Sequence, residues 1–187
     1  GEPVDEHSIY EIGSISKTFT ATLLADNIVK GKMKVDDPIS KYLPASVKVP
    51  TYKGGGPPIT LGHLSDHTSS MLRMPTNMPE SDPTDPAADY TPELMYAFLS
   101  SYELPREVGS EYEYSNFAVG VLGQIQALAA GTSYEEALTS VITSPLKMKE
   151  TAITLSPKMK ENLAVGHAMG MPVNNWDLNA MQGAGGI

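Results

Sequence analysis

Cysteine is absent from the 187-residue sequence, and this absence removes several kinds of chemistry from consideration. The chain can form no disulfide, use no thiolate nucleophile and hold no metal through cysteine ligands. A protein without cysteine is compatible with an oxidising or a reducing compartment, so its composition does not decide between them.

Long apolar runs are also missing from the sequence. No stretch reaches the roughly 18 consecutive apolar residues of a transmembrane helix, so we expect no membrane span. Residues 1–6 have neither a basic region nor an apolar core, so no signal peptide is expected there, although a precursor could carry one.

Basic residues are in the minority, with 13 Lys and Arg against 22 Asp and Glu, and the formal net charge is −9. Binding of nucleic acid requires a basic surface that neutralises phosphates, so a nucleic-acid partner is not expected. Hydrophobic residues make up 41% and charged residues 19%, which is ordinary for a folded globular protein. The length suffices for one domain, or for one domain and part of another.

The chain is predicted to consist mainly of helices separated by loops rich in proline and glycine. Apolar residues recur at helical spacing, and capping residues followed by Pro or Glu mark several helix starts. Helices are predicted at 15–30, from Asp37-Pro38 to Pro44, at 60–67, from Thr91 through Leu99, at 117–130 and at 133–142. Short strands are predicted at 8–12 and 151–155, irregular loops at 50–58 and 74–90, and a tight turn at 183–187.

Ser14 and Lys17 form the first candidate for chemistry, in a Ser-x-x-Lys pattern. A serine at a helix start lies near unpaired backbone N–H groups and the positive end of the helix dipole. Lys17 shares that helix face and could accept the serine proton if its surroundings favour the neutral amine. The alternative is that Ser14 only caps the helix and Lys17 is solvated. Ser144 and Lys147 repeat the spacing, and we interpret that second match as a turn and cap.

Tyr114 and Asn116 form the second candidate, and theirs is the only Tyr-x-Asn in the chain. A tyrosine beside a lysine can be held as phenolate and act as a general base. The Asn116 amide can orient the lysine and donate to a substrate carbonyl. The alternative is a buried tyrosine followed by a Ser or Asn that caps a helix.

Two histidines and several large side chains offer rival interpretations. His63 and His67 are four residues apart on a predicted helix, the spacing of two zinc ligands, but no third ligand is evident. We therefore predict no metal site and no cofactor, and we expect His67 to pack or to anchor a loop. The methionines of 169–171 are predicted to fill the core, and Trp176 is predicted to pack and not to line a groove.

A series of further motifs follows the two candidates in a recognisable order. The motifs are Glu11-Ile12-Gly13-Ser14-Ile15-Ser16-Lys17-Thr18-Phe19-Thr20, Asp36-Asp37-Pro38-Ile39, Tyr42-Leu43-Pro44, Ile59-Thr60-Leu61, His63-Leu64, His67-Thr68-Ser69, Gly109, Tyr112-Glu113-Tyr114-Ser115-Asn116, Pro145-Leu146-Lys147-Met148 and Gly183-Ala184-Gly185-Gly186-Ile187. This ordered set resembles class C β-lactamases, within the superfamily of serine β-lactamases and penicillin-binding proteins. The resemblance spans essentially the whole chain and is more specific than either short motif alone.

The resemblance implies an α+β fold in which an antiparallel sheet flanked by helices lies beside an all-helical part. The active site would lie between the two parts. By the same resemblance Ser14 forms an acyl-enzyme, and Lys17 and Tyr114 shuttle protons. Asn116 would contact the substrate amide. The resemblance also implies a periplasmic or secreted hydrolase of a small molecule: a β-lactam first, or a short-chain ester or a D-Ala-D-Ala peptide.

The sequence departs from the family pattern in several places. The family's third motif, Lys-Thr-Gly, and most of its N-terminal strands are not found in residues 1–187, which predicts a single but incomplete β-lactamase-like domain. The strand that carries the third motif normally supplies one of two oxyanion-hole N–H groups, and Ser14 supplies the other. Ser70 stands where Gly is usual and Val108 where Pro is usual, which affects loop geometry.

An incomplete domain would leave an apolar, sheet-docking face uncovered. We therefore expect a homodimer, or a complementary segment that covers this face. The alternative from a different functional class is an inert module that only folds or binds a partner. Turnover of a β-lactam, compared with that of a nitrophenyl ester, discriminates among these alternatives.

Overall fold

A computed structural model of the chain describes residues 3–79, 82 and 84–187, and its helix-rich architecture is α+β, as predicted. The helices are α1 (Ser16–Val29), α2 (Leu61–Ser65), α3 (Pro92–Ser101), α4 (Asn116–Ala130), α5 (Tyr134–Leu138), α6 (Pro157–Glu161) and α7 (Gln182–Gly185). The strands β1 (Gly166–Ala168) and β2 (Met171–Val173) pair as an antiparallel hairpin. Short 3-10 turns occupy Gly13–Ile15, Ile39–Lys41 and Asn179–Met181, and a π turn at Thr139–Thr143 extends α5. Within these described ranges, no helix is long and apolar enough to cross a bilayer.

Helix α4 runs through the centre of the core. It is apolar on nearly all sides, and Phe117 and Ile125 have no exposed surface. The Ser115 side chain caps its start, and Gly131 ends it in the left-handed conformation that glycine adopts readily. The prediction of a buried helix at 117–130 is therefore confirmed.

Helix α1 packs against both α4 and α7, and polar contacts tie the three helices together. Thr20 of α1 donates to the carbonyl oxygen of Gly183 at 2.7 Å, and the buried Gln126 of α4 donates to the Thr20 carbonyl at 2.9 Å. The Tyr134 hydroxyl lies 2.6 Å from Thr20 Oγ1, and burial raises the pKa of Tyr134 to about 12. Because Ser14 lies in the 3-10 turn that leads directly into α1, these contacts fix the part of the backbone that carries it.

Three of the predicted helix caps are confirmed by side-chain contacts. Thr60 accepts the backbone N–H of His63 at the start of α2, and Thr91 caps α3 in the same way. Ser133 and Glu136 form a reciprocal capping box at the start of α5. Local sequence signals therefore decide where these helices begin.

Two of the short helical predictions needed correction. Helix α2 ends at Ser65 and not at 67, because His67 takes a left-handed φ of 65° that an α-helix cannot continue. The Asp37-Pro38 signal yields the 3-10 turn Ile39–Lys41, and Asp37 is not its side-chain cap. The Asp37 carboxylate accepts the Tyr42 hydroxyl at 2.5 Å instead, so the acidic side chain is used in another contact.

Both predicted strands are wrong. Within 8–12 only Ile9 forms a β-bridge, a single parallel one to the segment after α6. The segment 151–155 is irregular, and the Glu135 carboxylate accepts two of its backbone N–H groups at 3.0 and 2.7 Å. A side-chain acceptor therefore takes the place of a neighbouring strand.

The hairpin that does form has an exposed turn of methionine and glycine. Met169 and Gly170 have φ values of 50° and 79°, as a two-residue turn between antiparallel strands requires. Met169 and Met171 are exposed, so the prediction that these methionines fill the core is wrong. All residues of β1 and β2 are exposed, which explains why no alternation of apolar and polar residues marks them.

The loops and the C-terminal segment agree only in part with prediction. The loop at 50–58 is irregular, as expected, and the loop at 74–90 is irregular where it is described, residues 80, 81 and 83 lying outside the described residues. The predicted tight turn at 183–187 is wrong, because helix α7 includes residues 183–185.

An open cavity of about 880 Å³ lies beside the C-terminal segment. Tyr10, Ile15 and Trp176 are among the side chains that line it, and each is more than half exposed. The expected packing role of Trp176 is therefore wrong: its ring lines a groove, while its backbone N–H donates to Glu11.

Candidate active site

Ser14 lies in the 3-10 turn that leads into α1. Gly13 precedes it with a φ of 51°, a left-handed conformation that costs glycine little and turns the chain at this point. The Ser14 side chain is exposed, whereas Ser16 is buried and accepts the backbone N–H of Ile187 at 3.1 Å. The turn therefore presents one hydroxyl outward and uses the next one as an anchor.

Lys17 lies one helical turn beyond Ser14, and its ammonium group contacts three oxygen atoms. It donates to Ser14 Oγ at 3.0 Å, to Asn116 Oδ1 at 2.8 Å and to the Ala184 carbonyl at 2.6 Å. An ammonium has three N–H donors, so these contacts use all of them. The ammonium is thus held by the protein in a partly buried place and not by solvent.

Tyr114 approaches Ser14 from the loop before α4, and its hydroxyl donates to Ser14 Oγ at 2.7 Å. The following residue fixes this position, because the buried Ser115 hydroxyl donates to the Leu72 carbonyl at 2.6 Å while it caps α4. Tyr114 and Asn116 stand on either side of that cap. The second sequence motif is therefore built around a helix start, as the first one is.

The surroundings of Tyr114 lower the pKa of its phenol. Burial raises the pKa of the Tyr114 phenol, but contacts with Lys17 and Ser14 and the charges of Lys17 and Arg73 lower it by more, so the net pKa is below its ordinary value. The Lys17 ammonium lies 4.9 Å from the centre of the Tyr114 ring, close enough for its charge to lower the pKa of the phenol.

The His67 ring packs against the ring of Tyr114. Its ring centre lies 4.5 Å from that of Tyr114, and its Nδ1 accepts the backbone N–H of Ser115 at 3.1 Å. Burial, and then the charge of Lys17, hold the pKa of His67 below its ordinary value, which favours the neutral ring with its proton on Nε2. The expectation that His67 packs and anchors a loop is confirmed.

The histidine pair is used in structural contacts. His63 Nδ1 accepts the backbone N–H of Thr60 at 3.2 Å, and Nδ1 of His67 is taken by Ser115. Across the part of the chain that the structure describes, no three His, Cys, Asp or Glu residues are grouped as a metal site would require. Ser144 and Lys147 lie in a turn closed by a backbone hydrogen bond of 3.0 Å, as interpreted from the sequence.

Two contributors to the site were not identified from the sequence. The guanidinium of Arg73 lies 5.1 Å from the centre of the Tyr114 ring, and the Ala184 carbonyl is a partner of Lys17. A main-chain carbonyl has no side-chain signature, and Arg73 is 41 positions from Tyr114 in an irregular loop, so no local spacing could connect them. The Gly-rich character of 183–187 was the only signal near Ala184.

An exposed serine hydroxyl with a lysine and a tyrosine in hydrogen-bond distance is suited to one type of chemistry. The tyrosine or lysine can take the hydroxyl proton while the oxygen attacks a carbonyl, and the same group can return a proton to the leaving atom. Such an arrangement on an α+β fold is the one that a serine nucleophile of an acyl-transfer enzyme requires.

The chain belongs to the beta-lactamase family, whose family model matches residues 1–187. It is 36% identical over 181 residues to the D-alanyl-D-alanine-carboxypeptidase/endopeptidase AmpH of Escherichia coli K12, which covers 96% of this chain and 45% of that protein. It is 31% identical over 173 residues to a beta-lactamase of the same strain, covering 92% of this chain and 42% of the relative. The chain thus spans about half the length of the curated relatives it matches.

Solved structures agree with this membership. A beta-lactamase/D-alanine carboxypeptidase of Yersinia pestis, in complex with citrate, superimposes with a TM-score of 0.83 at 30% identity, covering 100% of this chain and 51% of that one. A class C beta-lactamase superimposes with a TM-score of 0.81 at 28% identity, covering 99% and 48%. These similarities confirm the β-lactamase-like fold expected from the motifs.

Proposed function

We propose that the protein is a serine hydrolase that acts through an acyl-enzyme formed on Ser14. The observation that carries the proposal is the position of Ser14 Oγ, 3.0 Å from the Lys17 ammonium and 2.7 Å from the Tyr114 hydroxyl. Family membership supports hydrolase chemistry in general, whereas the residue roles rest on this geometry. We further propose that residues 1–187 belong to a single β-lactamase-like domain.

In the proposed reaction Tyr114 first ionises, so that its hydrogen bond with Ser14 reverses and the Ser14 hydroxyl donates. Tyr114 then accepts the Ser14 proton as Oγ bonds to the substrate carbonyl carbon. Lys17 stays protonated, steadies the Ser14 oxygen and is itself oriented by Asn116. The Ser14 backbone N–H is a donor for the oxyanion that develops on the carbonyl oxygen. The C–N or C–O bond to the leaving group then breaks, and Tyr114 returns the proton to the leaving atom.

Deacylation repeats these steps with water as the nucleophile. Tyr114 takes a proton from the water as its oxygen attacks the acyl carbon, and the ester bond to Ser14 Oγ breaks. The proton then returns to Ser14, so that the enzyme is regenerated and one water molecule is consumed per substrate. We propose that Asn116 also contacts the substrate amide.

The substrate that we propose first is a β-lactam, a strained amide that acylates a serine readily. The second candidate is a peptide ending in D-alanyl-D-alanine, because a relative that is 36% identical to this chain is a carboxypeptidase/endopeptidase. A short-chain ester is the third candidate, since an ester carbonyl meets the same nucleophile. We propose a periplasmic or secreted location on the strength of family membership.

Covalent labelling tests the nucleophile. The chain is treated with a fluorophosphonate or with penicillin, digested, and the adduct is mapped by mass spectrometry. We expect the label on Ser14 in the parent and none in Ser14→Ala. Ser144→Ala is a matched control, because Ser144 has the same spacing to a lysine, and its labelling should equal that of the parent. Absence of any adduct would favour the inert-module alternative.

Rates with three substrates separate the candidates. A chromogenic cephalosporin, a nitrophenyl ester and a peptide ending in D-alanyl-D-alanine are compared by kcat/KM, with Ser14→Ala as the blank. A cephalosporin rate above the other two supports the first candidate. If D-alanine is released from the peptide fastest, the peptide replaces the β-lactam as the proposed substrate. If the nitrophenyl ester is cleaved fastest, the ester replaces it.

We also propose that the apolar cavity beside the C-terminal segment is covered by a second copy of the chain, with a complementary segment as the alternative. Its support is the exposure of Tyr10, Ile15 and Trp176 along one groove, since such patches commonly mark interfaces. Sedimentation across a hundredfold concentration range tests this proposal. A dimer that Ile15→Ser weakens supports it, and a monomer at every concentration contradicts it.

A further inference from the structure

The backbone of Arg73 is tied to the start of α4. Its carbonyl oxygen accepts the backbone N–H groups of Asn116 and Phe117 at 3.0 and 3.2 Å. These N–H groups belong to the first turn of the helix, where no intrahelical acceptor exists. The neighbouring Leu72 carbonyl accepts the Ser115 hydroxyl at 2.6 Å, so two successive residues of this loop are bonded to the motif that carries Tyr114.

The side chain of Arg73 reaches the same tyrosine. Its guanidinium carbon lies 5.1 Å from the centre of the Tyr114 ring, close to the 4.9 Å of the Lys17 ammonium. None of the ion pairs in the described part of the chain includes Arg73, whose side chain is exposed. Because no carboxylate pairs with it in this part of the chain, the guanidinium offers its positive charge to the Tyr114 ring.

Lys17 acts on Tyr114 but is shared among several partners. Its ammonium lies within 3.0 Å of oxygen atoms of Ser14, Asn116 and Ala184, in addition to the contact by which it lowers the pKa of Tyr114. The charged and titratable groups that face Tyr114 are Lys17 from α1 and His67 and Arg73 from the loop before α3. With His67 favoured in its neutral form, Arg73 is the second positive charge beside the ring.

We propose that Arg73 is a positioning residue for the reaction, and that its guanidinium holds Tyr114 in place and in the ionised form that accepts the Ser14 proton. This proposal rests on the proposed function, because it assigns Arg73 a role through Tyr114 and no contact with substrate. The charge of Arg73 lowers the pKa of Tyr114, as a positive charge close to the ring should.

The variants that test the proposal are Arg73→Gln, which removes the charge, and Arg73→Lys, which keeps it. Neither touches the backbone carbonyl that holds α4, and the side chain is exposed, so we expect both variants to fold, as thermal unfolding checks. Lys32→Gln is the matched control, because it removes one exposed positive charge beyond the far end of α1, about 20 Å from Ser14.

The first measurement is the tyrosinate absorbance of the chain as pH rises, with Tyr114→Phe subtracted to isolate Tyr114. We expect Arg73→Gln to raise the pKa of Tyr114 by about half a unit to one unit, and Arg73→Lys and Lys32→Gln to leave it nearly unchanged. An unchanged Tyr114 titration in Arg73→Gln overturns the proposal. This readout needs no turnover, so it decides the question even if Ser14 is never labelled and the proposed function fails.

The second measurement is the pH profile of Ser14 acylation by penicillin. In Arg73→Gln the acid limb of the rate profile should move to higher pH by the same amount as the pKa of Tyr114. The acylation rate near pH 7 should fall several-fold, and the rate at high pH should equal that of the parent. The two pH profiles are measured again with His67→Asn present in both proteins, so that titration of His67 does not contribute to the acid limb. A rate reduced equally at all pH values would indicate a purely structural Arg73 and overturn the proposal.

Discussion

The ammonium of Lys17 lies 2.6 Å from the carbonyl oxygen of Ala184, a residue 167 positions further along the chain. The carbonyl belongs to α7, which packs against both α1 and α4. The lysine that contacts Ser14 is therefore held by three separate parts of the fold, through Ser14, Asn116 and Ala184. All three contacts are charge-assisted, and such hydrogen bonds are stronger than those between neutral groups.

Removal of the proton acceptor Tyr114, or of the Lys17 ammonium that stabilises it, should slow acylation of Ser14. We expect Lys17→Ala and Tyr114→Phe each to reduce the rate by at least about 10²-fold, the usual range for a positioned proton-transfer group. The double variant should lose much less than the product of the two single losses, because the two groups act as one unit. Stopped-flow or quenched labelling with penicillin measures all three rates.

The control for these variants is Lys147→Ala, which alters the lysine of the second Ser-x-x-Lys pattern. It should acylate at the parental rate, since Lys147 lies in the turn at 144–147 and contacts neither Ser14 nor Tyr114 in the described structure. A parental rate in Lys17→Ala would show that the Lys17 ammonium does not support proton transfer from Ser14 to Tyr114, and the interpretation of Lys17 as a solvated lysine would then stand.

Asn116 should contribute through the orientation of Lys17. Its Oδ1 accepts from the ammonium at 2.8 Å, and a hydrogen bond to a charged group is worth about 1.5–3 kcal/mol. We therefore expect Asn116→Ala to slow acylation by about 10- to 10²-fold, since each 1.36 kcal/mol is a factor of ten. Asn116→Asp keeps an acceptor but adds a charge that competes for the ammonium. If alanine at this position left the rate unchanged, the orienting role would be wrong.

Much of the fold could be predicted because its signals are local. The caps at Thr60, Thr91 and Ser133 and the stop at Gly131 each depend on residues within one helical turn. The proximity of Ser14 and Lys17 is local in the same sense, because a separation of three residues on a helix brings side chains together. These parts of the structure need no knowledge of the rest of the chain.

The parts that were not predicted depend on contacts between distant segments or on residues with no pattern. The hairpin around Gly170 is exposed on all sides, so it lacks the alternation by which strands are recognised. Helix α6 follows a Ser156-Pro157 start signal, but only Met159 is buried in its five residues, too few for a periodic pattern. Arg73 and Ala184 reach the site through the tertiary fold.

The depressed pKa of His67 should make stability depend on pH. Folded His67 binds a proton less readily than it does in the unfolded chain, where its pKa is near 6.5. Below that pH the unfolded state takes up more protons, so the free energy of unfolding falls as pH falls from about 7 towards the lower folded pKa. Urea unfolding of the parent and of His67→Asn at a series of pH values measures this slope.

Asparagine is a suitable replacement because it tolerates the left-handed φ of 65° at this position and its amide oxygen can accept the Ser115 N–H. The difference between the unfolding free energies of the two proteins isolates the contribution of His67, because His7 and the carboxylates are present in both. We expect the parent to lose more stability than His67→Asn between pH 7 and 5. If the unfolding free energies of the two proteins changed in parallel with pH, the pKa of His67 would not be lowered in the folded state.

Close contact between α4 and α7 depends on two glycines that face each other. A Cβ on Gly123 would lie 2.9 Å from the Gly183 Cα, a backbone atom that cannot move aside without shifting α7. A Cβ on Gly120 would meet the Met181 side chain first, at 2.7 Å from its sulfur, and that flexible side chain can rotate away. The two positions lie on the same helix, so they form a matched pair.

Gly123→Ala should therefore destabilise the protein by about 1–3 kcal/mol, the usual cost of overpacking, whereas Gly120→Ala should cost less. Both substitutions gain about 1 kcal/mol of helix propensity, so that their difference in urea unfolding reports packing alone. Because α7 carries the Ala184 carbonyl that holds Lys17, Gly123→Ala should also slow labelling of Ser14 under conditions where the chain remains folded. Equal stabilities for the two variants would contradict the close-contact argument, and unchanged labelling would show that α7 does not position Lys17.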